Sequence, residues 1–208
     1  MIPLTAKVLD AAEALAATHF VYTVYAGELR WLPAEKNPSQ WEVRRDEQGL
    51  YFTDMFDREA TWFGVFHGKR FAAAGRLVRP VNGKLEVELY QELPDHLAWE
   101  TKRAEMNRLT LAAEFADSPA LMMLVRSIFE YTAEHDIEFL VEGVPDAAMK
   151  FAERIGLTPL EPALYFRYSP EDPADSSVMY MDCRNAQEMR NRVTGLDESI
   201  AGSFTFFA

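Results

Sequence analysis

The feature that most constrains the fold is a series of short apolar runs separated by turn signals. Thr61–His67 and residues 70–79 are rich in Phe, Val and Ala and flank a turn at Gly68, a pattern that predicts a β-hairpin. Ala104–Ala113 predicts a further, buried strand. Gly75 lies inside the second strand of the hairpin and indicates a bulge or the close approach of another chain.

Four ionisable residues stand at or near the ends of these strands. Asp54 and Asp57 precede the hairpin, and Glu105 and Arg108 belong to the third strand. Because the strands are expected to pair, these side chains are expected to meet at one cleft. Two alternatives stay open, since Asp is common in turns and Glu105 could serve only as the partner of an arginine.

The longer elements follow from hydrophobic periodicity. Residues 5–25 predict a helix that begins at Thr5, and residues 120–134 predict a helix that begins after Ser118. Residues 33–53 are polar and predict an irregular connection of a length that often covers a binding site.

The remaining segments complete the order of elements. Asn82-Gly83 predicts a tight turn. The other predicted elements are a strand at Lys84–Tyr90, a strand at Phe139–Gly143, a helix at Asp146–Ile155 that ends at Gly156, strands at Ala163–Tyr168 and Val178–Asp182, and a polar helix at residues 185–192. This order predicts one α/β (α+β) domain over residues 1–208, with a mixed central sheet flanked by helices on both faces.

Composition excludes several classes of protein. A net charge of −12 argues against nucleic-acid binding, and no apolar run reaches the length of about 20 residues that a membrane span needs. The N-terminus lacks the features of a secretory signal, and the single cysteine, Cys183, cannot form an internal disulfide. We therefore expect a cytoplasmic protein.

Common catalytic signatures are missing from the sequence. The four histidines lie far apart without the spacing of metal ligands, so no metal site is predicted. The sequence contains neither the Gly-x-Ser-x-Gly elbow of a hydrolase nor a phosphate-binding loop.

Taken in order, the motifs resemble the acyl-homoserine-lactone synthases, or autoinducer synthases, which are relatives of the GNAT N-acyltransferase fold. The resemblance runs over roughly residues 20 to 170. It is carried by Tyr25–Trp31, which resembles an aromatic–Leu–Trp segment, Asp54–Asp57 followed by Ala60–Phe63, Gly75–Leu77 with Pro80, Trp99-Glu100, the Glu-x-x-Arg pattern of Glu105–Arg108, and Leu124–Ile155 followed by Gly156-Leu157.

The chain departs from the family pattern in one respect that bears on the substrate. Val21 stands where the family usually has an arginine, and the intervening aromatic residue is Tyr25 rather than Phe. The departure leaves the amine acceptor open. A second Glu-x-x-Arg candidate, Glu100–Arg103, also exists; we prefer Glu105–Arg108 because an apolar strand follows it.

The resemblance implies transfer of a fatty acyl group from an acyl-carrier-protein or acyl-CoA thioester to the amine of S-adenosylmethionine, with no bound cofactor. Glu105 is implied as the base that deprotonates the amine. Asp54 and Asp57 would hold the cationic acceptor, and Arg76 and Arg108 would order these carboxylates or bind the carboxylate of the acceptor.

The resemblance also implies residues that contact the two substrates. Tyr25 and Trp31 are expected to contact substrate. The residues expected to line an acyl pocket are Trp62, Phe63, Leu109, Met122, Met123 and Leu140. The basic residues expected to dock an acidic carrier protein are Lys69, Arg70, Lys102, Arg103, Lys150 and Arg154. The Gly-rich pyrophosphate turn of acetyl-CoA-using relatives is absent before Ala120, which favours carrier protein over CoA.

Three functional hypotheses therefore remain. The first is an acyl-homoserine-lactone synthase. The second is an N-acyl amino acid synthase or another acyltransferase with a different amine, which the valine at position 21 favours. The third is a GNAT-like domain that binds an acyl carrier or a ligand without catalysis.

Overall fold

The protein is described by a computed structural model that covers residues 3–98, 102–169, 172, 175–185 and 191. Its helices are α1 (Ala11–Tyr22), α2 (Asp95–Ala98), α3 (Ala120–Glu134) and α4 (Met149–Ile155). Its strands are β1 (Leu4–Val8), β2 (Glu42–Asp46), β3 (Gly49–Thr53), β4 (Ala60–His67), β5 (Arg70–Val78), β6 (Arg103–Leu111), β7 (Phe139–Pro145), β8 (Thr158–Pro159), β9 (Tyr165–Phe166) and β10 (Ser176–Asp182). No helix in these residues is long and apolar enough to cross a membrane.

One mixed sheet organises the fold. Its strand order is β1-β4-β5-β6-β7-β10-β8, and β9 pairs with β10 beside this path. Neighbouring strands are antiparallel except for β6 and β7, which are parallel. The predicted mixed sheet is therefore confirmed.

Helices cover both faces of this sheet, as the sequence predicts. Ala73 belongs to the apolar cluster beneath α3, whereas Ala74 belongs to the cluster beneath α1. Because adjacent side chains of a strand point to opposite faces, α1 and α3 lie on opposite sides of the sheet.

Two N-terminal predictions are wrong in their boundaries. Residues 5–25 do not form one helix: Leu4–Val8 pairs with β4 as an edge strand, and α1 follows it. The helix is capped by Asp10 rather than Thr5, since Asp10 accepts hydrogen bonds from the backbone N–H groups of Ala12 and Glu13. Four of the five residues of β1 are exposed, so the strand lacks the buried face that marks a central strand.

The connection at residues 33–53 is also more ordered than predicted. It contains the β2–β3 hairpin, and the loop before it is fastened by Asn37, whose side-chain amide bonds both the N–H and the carbonyl of Trp41. The strand β2 is almost entirely exposed, which explains why it lacks the alternation of a half-buried strand.

Later elements agree more closely with the sequence. The strands β5, β6 and β7 and the helices α3 and α4 lie where they are predicted, with a 3-10 turn at Asp146–Ala148 before α4. The strand predicted at Lys84–Tyr90 is wrong, since this segment contains a 3-10 turn at Val87–Leu89. The strand predicted at Ala163–Tyr168 is shorter than expected, since only Tyr165–Phe166 is paired. The motif Trp99-Glu100 and the predicted C-terminal helix at residues 185–192 lie largely outside the described residues.

Candidate active site between two parting strands

The candidate site lies where β6 and β7 separate. Their registered pairing runs only from Arg103 and Phe139 to Glu105 and Val141, although both strands continue further. A cavity of about 110 Å³ lies beside the separated segments. Its wall includes residues 107–109 of β6, residues 142–145 of β7, and several residues of the α4 region.

A β-bulge shapes the β6 side of the cavity. The register between β5 and β6 passes from Ala74 opposite Thr110 to Arg76 opposite Asn107, so two residues of β6 stand opposite Gly75. A Cβ atom on Gly75 would lie 2.7 Å from the Cδ2 atom of Leu109. The sequence prediction of a bulge or close approach at Gly75 is thus confirmed.

The bulge gives Arg108 a rare backbone conformation. Its φ of +54° lies in the left-handed region, which costs a non-glycine residue on the order of 1 kcal/mol. The side chain is held firmly, because one guanidinium nitrogen donates to Asp54 and Glu86 at 2.9 Å each. The guanidinium carbon also lies 4.4 Å from the ring centroid of Trp41.

Arg76 is the centre of a buried ionic cluster. Its guanidinium donates to both carboxylate oxygens of Asp54, at 3.0 and 2.6 Å, and to Asp57 at 2.5 Å. Its Nε donates to Asn107 at 2.7 Å. Its side chain is only 1% exposed, so the ion pairs with these carboxylates offset the free-energy cost of removing the guanidinium group from water.

This arrangement bears on the predicted roles of the two aspartates. Both oxygens of Asp54 accept hydrogen bonds from guanidinium groups, and the arginines Arg76 and Arg108 hold its pKa at about 2 despite its burial. Asp57 also accepts from the backbone N–H of Asp54. The aspartates therefore support the arginines directly, and their predicted contact with a cationic acceptor stays a prediction.

Glu105 lies next to this cluster and is fully buried. Its carboxyl accepts hydrogen bonds from the backbone N–H of Val87 at 3.1 Å and from the side-chain amide of Asn107 at 3.3 Å. Burial raises its pKa to about 8, with a further contribution from the nearby Glu86 carboxylate. A carboxyl with such a pKa exchanges protons near neutrality.

A second carboxyl with a raised pKa, Glu142, projects from β7 into the cavity wall. Burial raises its pKa to about 8, and the Glu105 carboxylate adds to the effect. The opposite wall carries Tyr25, whose hydroxyl donates to the carbonyl of Leu109 at 3.3 Å, and Trp31, whose ring meets the Tyr25 ring edge-to-face. Tyr25 sits in a π-helical turn, a feature that is frequent at functional sites.

The structure brings most of the predicted site residues together but not all of them. Arg76, Asp54, Asp57, Glu105 and Arg108 form one neighbourhood, whereas Phe63 does not reach it. Phe63 is fully buried in the core and packs edge-to-face on Tyr131, so it does not line this cavity. Of the residues predicted to line an acyl pocket, only Leu109 forms part of the cavity wall.

The predicted docking surface does not form as one patch. Arg103 is buried and donates to the carbonyls of Gly83 and Leu97 instead of facing solvent. Lys69–Arg70 and Lys102 lie at opposite ends of the sheet, since the start of β5 pairs with the end of β6.

Sequence reasoning missed four residues that complete the site. Glu142 interrupts an apolar run with a carboxylate, which is a signal that the sequence does contain, whereas Glu86 lies in an alternating segment where a charged residue is ordinary. Asn107 lies inside the Glu-x-x-Arg pattern. Trp41 had no distinguishing signal; it is buried in the cavity wall, and its indole N–H has no hydrogen-bond partner in the described part of the chain.

We predict that Arg76→Met lowers the free energy of unfolding by about 3–5 kcal/mol, because it leaves buried carboxylates without a counter-charge. Arg79→Met, just beyond the same strand, is the control, since within the described residues Arg79 donates only to the backbone carbonyl of His135, at the surface. Chemical denaturation of both variants measures the difference. Equal losses in the two variants would contradict a central role for the Arg76 cluster.

The raised pKa values predict how stability depends on pH. Glu142 titrates near 8 in the folded protein and near 4.5 in the unfolded chain, so the folded state binds more protons between these values. Its stabilising contribution is complete below about 4.5 and is lost as the pH rises through about 8. We therefore expect Glu142→Gln to be more stable than the wild type at pH 9 by roughly 1–3 kcal/mol.

Thermal or chemical denaturation at about pH 6 and 9 measures this difference. The exposed Glu153→Gln on α4 is the control and should leave the pH dependence unchanged. The same decline in stability for wild type and Glu142→Gln would show that Glu142 is ionised at neutral pH.

The comparisons with known proteins concern the fold. No protein-family profile and no curated protein sequence matches the chain. Among solved structures, it is similar to FeeM, an N-acyl amino acid synthase from uncultured soil microbes, with 18% identity and a TM-score of 0.61 over 94% of this chain and 99% of FeeM. It is also similar to BjaI, a CoA-dependent acyl-homoserine lactone synthase, with 12% identity and a TM-score of 0.63 over 92% of this chain and 90% of BjaI.

A third similar structure is a GNAT-family acetyltransferase from Staphylococcus aureus Mu50, with 10% identity and a TM-score of 0.55 over 88% of this chain and all of the other. The likeness thus extends across almost the whole of each chain. The protein has the fold of the GNAT-like acyltransferases, as the sequence predicts.

Proposed function

We propose that the protein is an N-acyltransferase of the acyl-homoserine-lactone synthase type, which moves a fatty acyl group from a thioester to the amine of S-adenosylmethionine. The observation that carries the proposal is a cavity between parting strands that lies beside a buried carboxyl with a pKa near neutrality. This carboxyl is not part of the cavity wall, but it accepts a hydrogen bond from Asn107, which is. Glu105 supplies that carboxyl, on the last pair of β6 and β7 before they separate. The similar protein BjaI was solved with S-adenosylmethionine and isopentyl-CoA.

The acyl thioester would lie in the gap between the strands. The gap has apolar walls from Leu109, Val144, Ala148 and Phe151, which suit an acyl chain. The tetrahedral intermediate needs donors for its oxyanion, and the backbone of the bulge at Arg108 borders the same cavity.

Glu105 would take the proton of the attacking amine. An amine is nucleophilic only in its neutral form, so a carboxylate within reach of it, directly or through one water, assists the attack. With its pKa raised to about 8, Glu105 is only partly ionised near neutrality, and its ionised form is a stronger base than an ordinary carboxylate. Its hydrogen bonds to Val87 and Asn107 fix the orientation of its carboxyl.

The charge of the cluster supports a cationic acceptor. Asp54, Asp57 and Glu86 contribute three carboxylates, and Arg76 and Arg108 contribute two guanidinium groups, so the paired groups leave one negative charge. S-adenosylmethionine has a sulfonium, an ammonium and a carboxylate, and its net positive charge complements this balance.

One observation favours a second candidate, an N-acyl amino acid synthase. Val21 is buried, and it borders a small cavity that Asp54, Asp57, Arg76 and Arg108 also line. The residue that replaces the usual arginine of the resembled family therefore faces the ionic cluster itself. A different charge pattern at this point is expected to change which amine is accepted.

Carrier protein is the proposed source of the acyl group, with CoA as the alternative. The segment between β6 and α3 carries the carboxylates of Glu114 and Asp117 and no glycine, which does not suit a pyrophosphate. Arg70 at the neighbouring strand end is paired with Glu114, so the docking surface differs from the predicted basic set.

The product identifies the acceptor. We expect the purified protein, given acyl-carrier and acyl-CoA thioesters with S-adenosylmethionine, to form an acyl lactone and methylthioadenosine that mass spectrometry detects. An N-acyl amino acid formed from mixed amino acids without methylthioadenosine would move the assignment to the second candidate. A folded protein that forms neither product with any pair would favour a binding domain without catalysis.

We predict that Glu105→Gln folds but lowers kcat/KM by about 10²–10⁴-fold, because the amide cannot accept a proton. Glu88→Gln is the matched control. Glu88 lies in the adjacent 3-10 turn, pairs with Arg103 and is not part of the cavity wall. Retained turnover in Glu105→Gln would remove Glu105 from the role of base.

A further inference from the structure

Glu142 is a carboxyl in the cavity wall for which the base mechanism has no use. It lies on β7 immediately after Val141, the last residue of that strand that pairs with β6. Leu140 and Val144, two residues before and after it, belong to the apolar cluster that includes α3 and α4. Because side chains alternate along a strand, Glu142 points to this same face.

Glu105 points to the other face of the sheet. Its strand partner Val141 packs in a different cluster, with Leu85 and Val87, and Glu105 itself accepts a hydrogen bond from Val87. The two carboxyls therefore flank the gap between β6 and β7 from opposite sides. A thioester held in the gap would have one of them on each side.

The carboxyl of Glu142 is also unpaired. It makes no hydrogen bond or ion pair with any residue in the described ranges, although residues around it, such as Val144 and Phe151, make an apolar wall. A polar group in such surroundings is costly unless a ligand or water satisfies it. The residue is partly buried, and its apolar surroundings raise its pKa to about 8, so that most of it carries a proton at neutral pH.

The proposed reaction requires a proton donor at this position. The amine nitrogen attacks the thioester carbonyl, the C–N bond forms, and the amine proton passes to Glu105. The C–S bond then breaks with its electron pair on sulfur, and the thiolate needs a proton to leave as a thiol. An alkyl thiol has a pKa of about 8.5, close to that of Glu142.

We propose that Glu142 is the acid that protonates the leaving sulfur, on the face of the sheet opposite to the base Glu105. The inference rests on the proposed function, since it needs a thioester as substrate. After one turnover Glu142 is a carboxylate and Glu105 is a carboxylic acid, and exchange with solvent restores both. The overall reaction converts a thioester and an amine into an amide and a thiol.

Tyr168 is one of the hydroxyl-bearing residues of the cavity wall, with Tyr25 and Ser176, and it is a poorer donor than Glu142. A Cβ atom on Gly143 would lie 2.2 Å from its hydroxyl, so the phenol sits on the face of β7 opposite to Glu142. Burial raises its pKa well above the ordinary tyrosine value, further from that of a thiol. Its position and acidity both favour Glu142 as the donor.

The experiment compares two leaving groups in the same protein preparation. One substrate is an acyl thioester of N-acetylcysteamine, an alkyl thiol, and the other carries the same acyl group on 4-nitrothiophenol, whose thiolate leaves without protonation. We expect Glu142→Gln to lower kcat/KM about 10²-fold or more with the alkyl thioester and less than about threefold with the aryl thioester. Glu153→Gln on α4 is the control and should alter neither value.

The ratio of the two rates also guards against misfolding, because a fraction of unfolded protein lowers both rates equally. Glu142→Met, which keeps the length of the side chain, should give the same ratio as Glu142→Gln. Product from the wild type with equal losses for both thioesters in the variants would overturn the role of Glu142 alone. A wild type that forms no amide from any thioester would overturn the proposed function and this inference with it.

Discussion

The structure depends on two guanidinium groups buried on one face of the sheet. Removing Arg76 and Arg108 from water is expensive, and the cost is offset only because carboxylates from separate segments converge on them. Asp54 and Asp57 arrive from the turn before β4, and Glu86 arrives from the turn before α2. The ionic cluster thereby fixes two irregular segments against the central strands.

The same requirement explains why the strands part. In a regular strand, residues three apart point to opposite faces, so Arg108 would point away from Glu105 and from the cluster. The extra residue opposite Gly75 and the left-handed backbone at Arg108 turn its side chain back to Glu86 and Asp54. A strand that bends in this way stops pairing with β7 just beyond Glu105, and the gap between them is the cavity.

This geometry marks the limit of what the sequence predicts. The hairpin, the buried strand and the helix at residues 120–134 follow from local patterns, because each buries a regular face. The convergence of Asp54, Asp57, Glu105 and Arg108 is also predicted, since all flank strands that pair, and the family resemblance adds Arg76. The bulge is indicated only as a possibility by Gly75, and the side to which Arg108 turns depends on tertiary contacts.

The features that sequence reasoning missed or misplaced have separate physical causes. The strands β1 and β2 are short and mostly exposed, so neither has the buried face by which a central strand is recognised. Trp41 reaches the site because Asn37 fastens a loop that has no periodic signal. Phe63 lies in the core rather than in the cavity wall, because a large apolar residue in a central strand faces the core as readily as a cavity, and its contact with substrate stays a prediction.

The charged groups of the ionic cluster are paired with one another, and this pairing determines which carboxyls nearby can exchange protons. Asp54 is held ionised by two arginines, and those arginines have no accessible neutral form, so the paired groups cannot exchange protons near neutrality. Glu105 and Glu142 lack a full counter-charge, and burial brings the pKa of each to about 8. They stand on opposite sides of the gap between β6 and β7, so the opening of the sheet that admits a ligand also separates a proton acceptor from a proton donor. The bulge that turns Arg108 toward its carboxylates also separates β6 from β7. Glu105 and Glu142, whose carboxyls exchange protons near neutrality, lie at that separation.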